Sequence, residues 1–271
     1  MVADTPHLRE KTAKIGLIGR AAAIFRVAEI NLYFDDRKVN QTKDAELIRL
    51  LLSYMETPQY LRKRLFPLKP ELQYAGILPP LRTPHHPLNS KASELADGSY
   101  REAVTLSKND KATYVDVGVE TPIPLTDDDT PLNRRITVRI VRKGNEIHAS
   151  KANRNEIPNY WGFTVNNAKP SFSELVKSGT FGLVIATSRY GREIKEASRE
   201  IGERWENAGN ILIAFGSPSR GLQQIIKSEG SNIENTTDYV VNTIPSQGTE
   251  TVRTEEALIA TLAILNVHFH V

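Results

Sequence analysis

The residues best suited to chemistry lie near the C-terminus, in Asn242-Thr243-Ile244-Pro245-Ser246-Gln247-Gly248-Thr249-Glu250-Thr251-Val252-Arg253-Thr254-Glu255-Glu256-Ala257. Hydroxyls, amides and backbone donors crowd this stretch, and only Pro245 and Gly248 are turn formers, which is more hydrogen-bonding capacity than a connection requires. Two further loops share its character, Ser188-Arg189-Tyr190-Gly191 and Gly216-Ser217-Pro218-Ser219-Arg220-Gly221. Each follows a short apolar run. Ligands of parallel α/β sheets bind beyond the carboxyl ends of the strands. Three such loops side by side would enclose a nucleotide-like molecule, with Gly216 and Gly221 admitting a close backbone approach and Gln247 or Thr249 supplying polar contacts. Taken singly, each glycine is only a turn former. Neither Gly-x-Gly-x-x-Gly nor Gly-x-x-x-x-Gly-Lys-Ser/Thr follows a predicted strand, which removes the usual support for dinucleotide and triphosphate sites.

A second group of candidates is cationic. Tyr60-Leu61-Arg62-Lys63-Arg64-Leu65-Phe66 would either lie against phosphates or form a solvated helix face whose long stems cover apolar surface. In Arg135-Ile136-Thr137-Val138-Arg139-Ile140 a period of two directs Ile136, Val138 and Ile140 inward and Arg135 and Arg139 outward. Arg142, Lys143 and Lys151 extend that basic surface. With Tyr160 and Trp161 it has the makings of an oligonucleotide-binding face, the alternative being solvated arginines on a barrel exterior. His85 and His86 invite a metal reading. Adjacent histidines in an extended chain point to opposite sides, however, and the next histidine is His148, so no metal site is expected.

The elements that must position these residues follow from periodicity. Residues 257–265 are apolar almost all round, as in a helix buried on more than one face, with Thr254 as its N-cap and Glu255 and Glu256 in the first turn where carboxylates suit the helix dipole. Residues 238–241 form a strand before the polar loop. Upstream of it come a strand over 182–187, a helix over 193–205 with Ile194, Ala197, Ile201 and Trp205 aligned, and a strand over 210–215; this alternation predicts a parallel sheet. In the N-terminal part the spacing predicts a helix over 15–26, a strand over 28–34 and a helix over 44–55 that stops ahead of Pro58. Residues 75–88 hold too many prolines for regular helix and form a crossing segment. Between 89 and 166 the texture changes to short β-branched runs, 112–119, 135–141, 146–149 and 160–165, which predicts a small antiparallel β-barrel inserted into the α/β domain. The domain organisation is therefore 1–88, an inserted barrel 89–166, and 167–271.

Whole-chain properties narrow the class. With 271 residues the chain buries a full core, and a net charge of +3 with a pI near 9.0 permits an anionic partner such as RNA without demanding one. The absence of cysteine excludes disulfides, thiolate nucleophiles and cysteine-ligated zinc. No stretch is long and apolar enough to span a bilayer, and the N-terminus, with Asp4, Arg9, Glu10 and Lys11, lacks the apolar core of a signal peptide. A soluble cytoplasmic protein is expected.

Several segments together carry a family resemblance: 18–27 (Ile-Gly-Arg-Ala-Ala-Ala-Ile-Phe-Arg-Val), Gln59-Tyr60-Leu61-Arg62-Lys63, Leu81-Arg82-Thr83-Pro84-His85-His86-Pro87, Tyr160-Trp161-Gly162-Phe163-Thr164-Val165, and Asn242-Thr243-Ile244-Pro245 through Arg253-Thr254-Glu255-Glu256-Ala257. Over nearly its whole length the chain resembles the archaeal and eukaryotic RNA methyltransferases of the SPOUT superfamily. The resemblance implies an α/β fold with a C-terminal trefoil knot, an inserted barrel of the oligonucleotide-binding (OB-like) type, S-adenosylmethionine as cofactor, and a homodimer that completes each active site. Carried over by position, it implies a cofactor site of Thr187, Gly191, Phe215, Gly216, Gly221, Leu222, Asn242, Thr243, Ile244, Pro245, Gly248, Thr249 and Thr254. Arg20, Arg82 and Arg253 are the candidates for holding phosphate or steadying charge on a deprotonated base. The RNA candidates are Arg62, Lys63, Arg64, Arg135, Arg139, Arg142 and Lys143, and the implied substrate is ribosomal RNA with uridine N3 as the methylated atom. The alternatives are a noncatalytic RNA-binding dimer that keeps the knot as scaffold and an enzyme acting on tRNA. Members of that family open on an apolar strand ahead of the segment that here begins Asp4-Thr5-Pro6. With only Met1-Val2-Ala3 before it, the expectation is either that the strand is missing and the sheet closes differently or that Met1 is not the natural start.

Overall fold

A computed structural model describes residues 2, 4–109, 112–126, 130–144 and 146–269. In chain order the elements are α1 (Leu8–Ile24), β1 (Glu29–Ile30), α2 (Thr42–Glu56), α3 (Gln59–Leu65), β2 (Tyr100–Lys108), β3 (Thr113–Asp116), β4 (Ile123–Leu125), β5 (Arg135–Lys143), β6 (Glu146–Lys151), β7 (Thr164–Val165), α4 (Phe172–Ser178), β8 (Leu183–Glu193), α5 (Ile194–Trp205), β9 (Ile211–Ala214), α6 (Leu222–Ser228), α7 (Ile233–Thr236), β10 (Tyr239–Asn242) and α8 (Thr254–Phe269). They divide into two compact units. The first takes the described residues of Met1–Leu52, Tyr74–Pro79 and Phe163–Val271, the second those of Ser53–Gln73 and Pro80–Gly162. The segment where a leading apolar strand would stand, Met1-Val2-Ala3, lies outside the described residues except for Val2.

The first unit is built on a parallel sheet of order β10-β8-β9. Successive residues of the central strand point to opposite faces, and both faces are covered: Leu183 and Ile185 pack with Ile194, Ala197 and Ile201 of α5 and Leu265 of α8, while Val184 and Ala186 pack with Phe172 and Leu175 of α4 and Leu222 and Ile226 of α6. That two-sided burial is why β8 opens on an unbroken Leu-Val-Ile-Ala run. A second, short parallel pair joins β1 to β7 through Glu29↔Thr164 and Ile30↔Val165. The second unit contains a closed five-stranded barrel of order β2-β3-β4-β6-β5, antiparallel except for the β4–β6 pair. Its hydrophobic core is formed by Leu95, Ala103, Val115, Val117, Ile123, Leu125, Val138, Ile140 and Ala149. Parallel sheets and a small closed barrel are thus both present, as the sequence predicts.

Local boundaries depart from expectation for identifiable reasons. α1 begins at Leu8 rather than 15, because the polar turn ahead of Ile15 is tied down by Thr12 Oγ1 donating to Leu8 O (2.8 Å) and by a Lys11–Asp44 ion pair (2.7 Å). The strand expected over 160–165 shrinks to β7, since Gly162 sits at φ +84°, outside the β region. β2 lies outside the strand runs expected from the sequence, and its Arg101 and Glu102 are both buried. Thr254 is the first residue of α8 rather than its cap. Its hydroxyl donates to Gly216 O (3.4 Å), while the Arg253 N–H donates to Glu256 Oε2 (2.9 Å), the return half of a capping box.

Candidate functional site

The three parallel strands of the first unit end on the same side, and the segments beyond them enclose a cavity of about 380 Å³. Each wall is fixed by its own backbone. β8 pairs with β10 through Ile185 and Ala186 and resumes at Arg192 and Glu193, so residues 187–191 bulge out of the ladder. Gly191 is the residue that permits this: a Cβ there would stand 2.7 Å from Val241 C and 2.8 Å from Val240 C, both immovable backbone. After β9, Ser217 and Arg220 exchange backbone hydrogen bonds (2.9 and 3.3 Å), and the Arg220 side chain is held by Asp36 (2.9 Å). After β10, Asn242 Oδ1 accepts from Ile244 N (2.9 Å) while its Nδ2 donates to Arg189 O (3.0 Å), linking the third loop to the first. Ser246 takes the left-handed conformation at φ +55°, and Gln247 Nε2 donates to the carbonyls of Thr249 and Glu250 (2.8 and 3.2 Å), closing the 242–254 loop on itself. The remaining wall is α8, whose Thr254, Ala257 and Thr261 recur at helical spacing, with Thr261 Oγ1 bonded to Thr243 Oγ1 (2.7 Å).

Of the residues implied as cofactor-binding, Thr187, Phe215, Gly216, Gly221, Asn242, Thr243, Ile244 and Thr254 line this cavity; Gly191, Leu222, Pro245, Gly248 and Thr249 do not. Leu222 is buried in the core instead, and Gly191 serves the bulge. The glycines divide informatively. A Cβ on Gly216 would meet Arg220 O at 2.8 Å, so the turn itself requires that glycine, whereas a Cβ on Gly221 or Gly248 would meet nothing within 4 Å. Sequence reasoning did not single out Arg189, Tyr190, Arg220 or Thr261, which also line the cavity. The one local signal for Thr261 is a hydroxyl within the otherwise apolar run 257–265, seven positions from Thr254. Among the arginines proposed for chemistry, Arg20 is half-buried on α1 and Arg253 is exposed beside the cavity residues Val252 and Thr254. Arg82 belongs to the second unit, exposed and at φ +52°.

The second unit holds a different constellation, a buried polar cluster where a basic surface was expected. Glu56 and Glu102, with side chains 5% and 1% exposed, share Arg135: its Nη1 lies 2.6 Å from Glu56 Oε2 and its Nε 2.5 Å from Glu102 Oε2. Glu102 Oε1 also accepts from Thr137 Oγ1 and from Trp161 Nε1, both at 2.7 Å. Burial pushes the Glu56 carboxyl up, but the hydrogen bond from His85 and the charge of Arg135 outweigh it and hold the pKa at about 2. Glu102 is likewise held below its ordinary value against its burial, chiefly by Arg135 and Arg154. Two expectations are corrected here. Arg135 does not stand on a solvated face, because its guanidinium is spent on two buried carboxylates, and Trp161 is buried rather than offering a stacking face. The histidines are corrected too. The chain turns at Thr83–His86, with His86 N donating to Thr83 O (2.8 Å), so both rings converge on the Glu56 carbonyl, at 3.0 Å for His85 and 2.7 Å for His86. Burial, and then the neighbouring His85, lower the His86 pKa to about 4, so it is neutral at pH 7. No group of three or more potential metal ligands occurs among the described residues.

The other cations of this unit differ in how far they are committed. Arg62 donates to Thr57 O (2.8 Å) and Met55 O (3.0 Å), and Arg142 to Leu95 O (2.9 Å) and Ser93 O (3.2 Å), so both are engaged by backbone carbonyls. Arg64 is paired with Asp116 at 3.2 Å but stays half exposed, and Lys63, Arg139, Lys143 and Lys151 are exposed.

A family model described as "Putative RNA methyltransferase" matches residues 1–265. The chain belongs to this RNA methyltransferase family. An uncharacterised protein of Haloarcula marismortui is 33% identical over 96% of this chain and 93% of its own length. A human protein named 28S rRNA (uridine-N(3))-methyltransferase is 31% identical over 97% of this chain and 74% of its own, and a Drosophila melanogaster protein of the same name 32% identical over 97% and 59%. As a methyltransferase the chain needs a methyl donor and a place to hold it beside the acceptor atom. No helix among the described residues is long and apolar enough to cross a membrane.

Proposed function

We propose that this methyltransferase uses S-adenosylmethionine to methylate N3 of a uridine in ribosomal RNA, and that it is a SPOUT enzyme with a knotted C-terminal part. The observation that carries the proposal is the cavity at the carboxyl ends of the β10-β8-β9 sheet, in a chain whose relatives include enzymes named for that reaction. Its volume of about 380 Å³ falls within the roughly 300–1,000 Å³ of small-molecule sites. The open space above Gly221, a residue of the cavity wall, leaves room for a ligand to approach the backbone. The cofactor residues assigned from the resemblance are retained, those lining the cavity as contacts and Gly191, Leu222, Pro245, Gly248 and Thr249 as the supports of its loops.

S-adenosylmethionine, when bound, supplies an electrophilic methyl group. The work left to the protein is to hold the uracil ring in line with that methyl and to let the N3 proton leave, so most of the rate comes from positioning. Arg253, at the cavity edge, and Arg20 and Arg82 are assigned to the substrate phosphates or to the negative charge that uracil gains as N3 loses its proton. Residues 89–166 are assigned as an OB-like RNA-reading module inserted between 1–88 and 167–271, with Arg139, Lys143 and Lys151 on it, and Lys63 and Arg64 on α3, as the cations offered to phosphates. A homodimer is supported by apolar side chains left uncovered on two packed helices, Leu17 and Ile24 on α1 (46% and 55% exposed) and Ile259 and Val267 on α8 (40% and 74%). A cytoplasmic site of action accompanies the ribosomal substrate.

The test is to incubate purified protein and S-adenosylmethionine with ribosomal RNA and tRNA from a strain lacking the gene, and to map methylated nucleotides. N3-methyluridine at a defined ribosomal position is expected. Methylation confined to tRNA moves the substrate assignment, and no methylation of either leaves an RNA-binding scaffold.

A further inference from the structure

One side chain at the cavity has no role in the cofactor assignment and no explanation in packing. Tyr190 lines the cavity yet is 79% exposed, a large aromatic ring left in water where a small polar residue would suffice for a turn. Its backbone is held from both sides. Tyr190 N donates to Ser188 Oγ (3.2 Å), Arg189 O accepts from Asn242 Nδ2 (3.0 Å), and Gly191 is wedged against the backbone of Val240 and Val241. The Arg189 guanidinium lies over the Tyr190 ring at 4.7 Å and is itself pinned by Nη1 donating to Glu250 O (2.6 Å). The ring therefore projects from a bulge that the sheet pairing has expelled, on a fixed backbone, with a cation backing one face.

An exposed aromatic ring on a held backbone beside a site that acts on a base has an evident use. Nucleobases that proteins read singly are splayed out and stacked on aromatic side chains or guanidinium planes, and such stacking accepts any base because every base has a π-face. Ordering a free tyrosine on binding would cost side-chain entropy, and the Arg189 contact lowers that cost by favouring one ring position. We propose that Tyr190 is the stacking platform for a base of the substrate RNA at the mouth of the methyl-transfer site, with Arg189 and Glu250 fixing the ring. The proposal rests on the RNA methyltransferase reading of this cavity and adds a binding residue to it. Tyr190 holds the acceptor, not the donor.

The experiment compares wild type, Tyr190→Ala and Tyr190→Phe in two readouts: calorimetric affinity for S-adenosylhomocysteine, and kcat and KM for transfer of labelled methyl groups into ribosomal RNA from a strain lacking the gene. Tyr190→Ala is expected to keep the wild-type affinity for S-adenosylhomocysteine and to lose roughly 5- to 150-fold in kcat/KM for RNA, the span that removal of one base–aromatic stack covers. Tyr190→Phe, which keeps the ring, recovers most of that loss. An unchanged kcat/KM in Tyr190→Ala overturns the proposal. So does a Phe variant as impaired as the Ala variant, which would make the hydroxyl the working group. So too does weakened S-adenosylhomocysteine binding in Tyr190→Ala, which would place the ring in the donor site. If wild type itself fails to bind S-adenosylhomocysteine, the reading of the cavity fails first and this proposal goes with it.

Discussion

Replacing Arg135 by Ala should destabilise the second unit far more than a surface arginine can. The substitution leaves Glu56 and Glu102, 5% and 1% exposed, with Arg154 as the shared cation at 3.4 and 3.5 Å, itself 37% exposed, and with His85 3.3 Å from Glu56 Oε1. Removing one partner of a buried ion pair typically costs about 3–5 kcal/mol because a charge is left buried and uncompensated. The carboxylate itself gives a second estimate. Glu56 falls from an ordinary 4.5 to about 2, and at 1.36 kcal/mol per unit that shift is worth on the order of 3 kcal/mol, shared between His85 and Arg135. The signs of the pH dependence are fixed as well. In wild type the depressed pKa contributes stability above about pH 4.5 that is lost as pH falls towards 2. In the variant, burial without the arginine raises the carboxyl pKa values, so protonation at lower pH relieves the strain. The gap between the two proteins is therefore widest at neutral pH and narrows on acidification. Urea denaturation in a Trp205→Phe background would read the second unit alone, because the remaining tryptophan, Trp161, bonds to Glu102. Adding Glu56→Gln to Arg135→Ala should recover part of the loss. A loss under about 1 kcal/mol, unchanged between neutral and acid pH, would refute this reasoning and return Arg135 to the solvated surface that its strand pattern suggests.

Three other outcomes are expected. Gly191→Ala forces a Cβ to 2.7 Å from Val241 C, and overpacking of this kind should cost roughly 1–3 kcal/mol, seen as a lowered Tm. Arg139→Ala with Lys143→Ala should reduce the slope of log affinity for single-stranded RNA against log salt by about 1.4, at roughly 0.7 for each phosphate no longer neutralised; an unaltered slope would remove these cations from the RNA face. Leu17→Glu with Ile259→Glu places charge on the exposed apolar surface of α1 and α8. Light scattering is expected to report a dimer for wild type and a monomer for the variant, and a wild-type monomer would refute the proposed dimer outright.

What the sequence made legible was what local pattern encodes. The alternation of strand and helix after 167 announced a parallel sheet with polar loops at its strand ends, and the period of two in β5 correctly turned Val138 and Ile140 inward. What it hid depends on partners distant in sequence. Arg135 takes its position from Glu102 and Glu56, 33 and 79 residues away, so an alternating strand with arginines on one side looks identical whether they meet water or carboxylates. β2 was invisible for the same reason: Arg101 and Glu102 look like surface charges until Asn89 and Arg135 are seen to receive them. At the cavity, loop composition located the walls but not the bulge of 187–191, which arises from a register shift between β8 and β10 and alone explains why Gly191 is glycine and why Tyr190 faces outward.

The claim on which the functional reading stands is that the cavity at the strand ends holds the methyl donor. Calorimetric titration of wild type and Gly221→Val with S-adenosylhomocysteine addresses it directly. A Cβ at Gly221 meets no protein atom within 4 Å, so the variant is expected to fold and melt as wild type does while its side chain takes up space at the cavity wall. Micromolar binding by wild type, weakened at least tenfold in Gly221→Val at an unchanged Tm, is the predicted result. Equal affinity in both proteins would place the donor elsewhere in the chain.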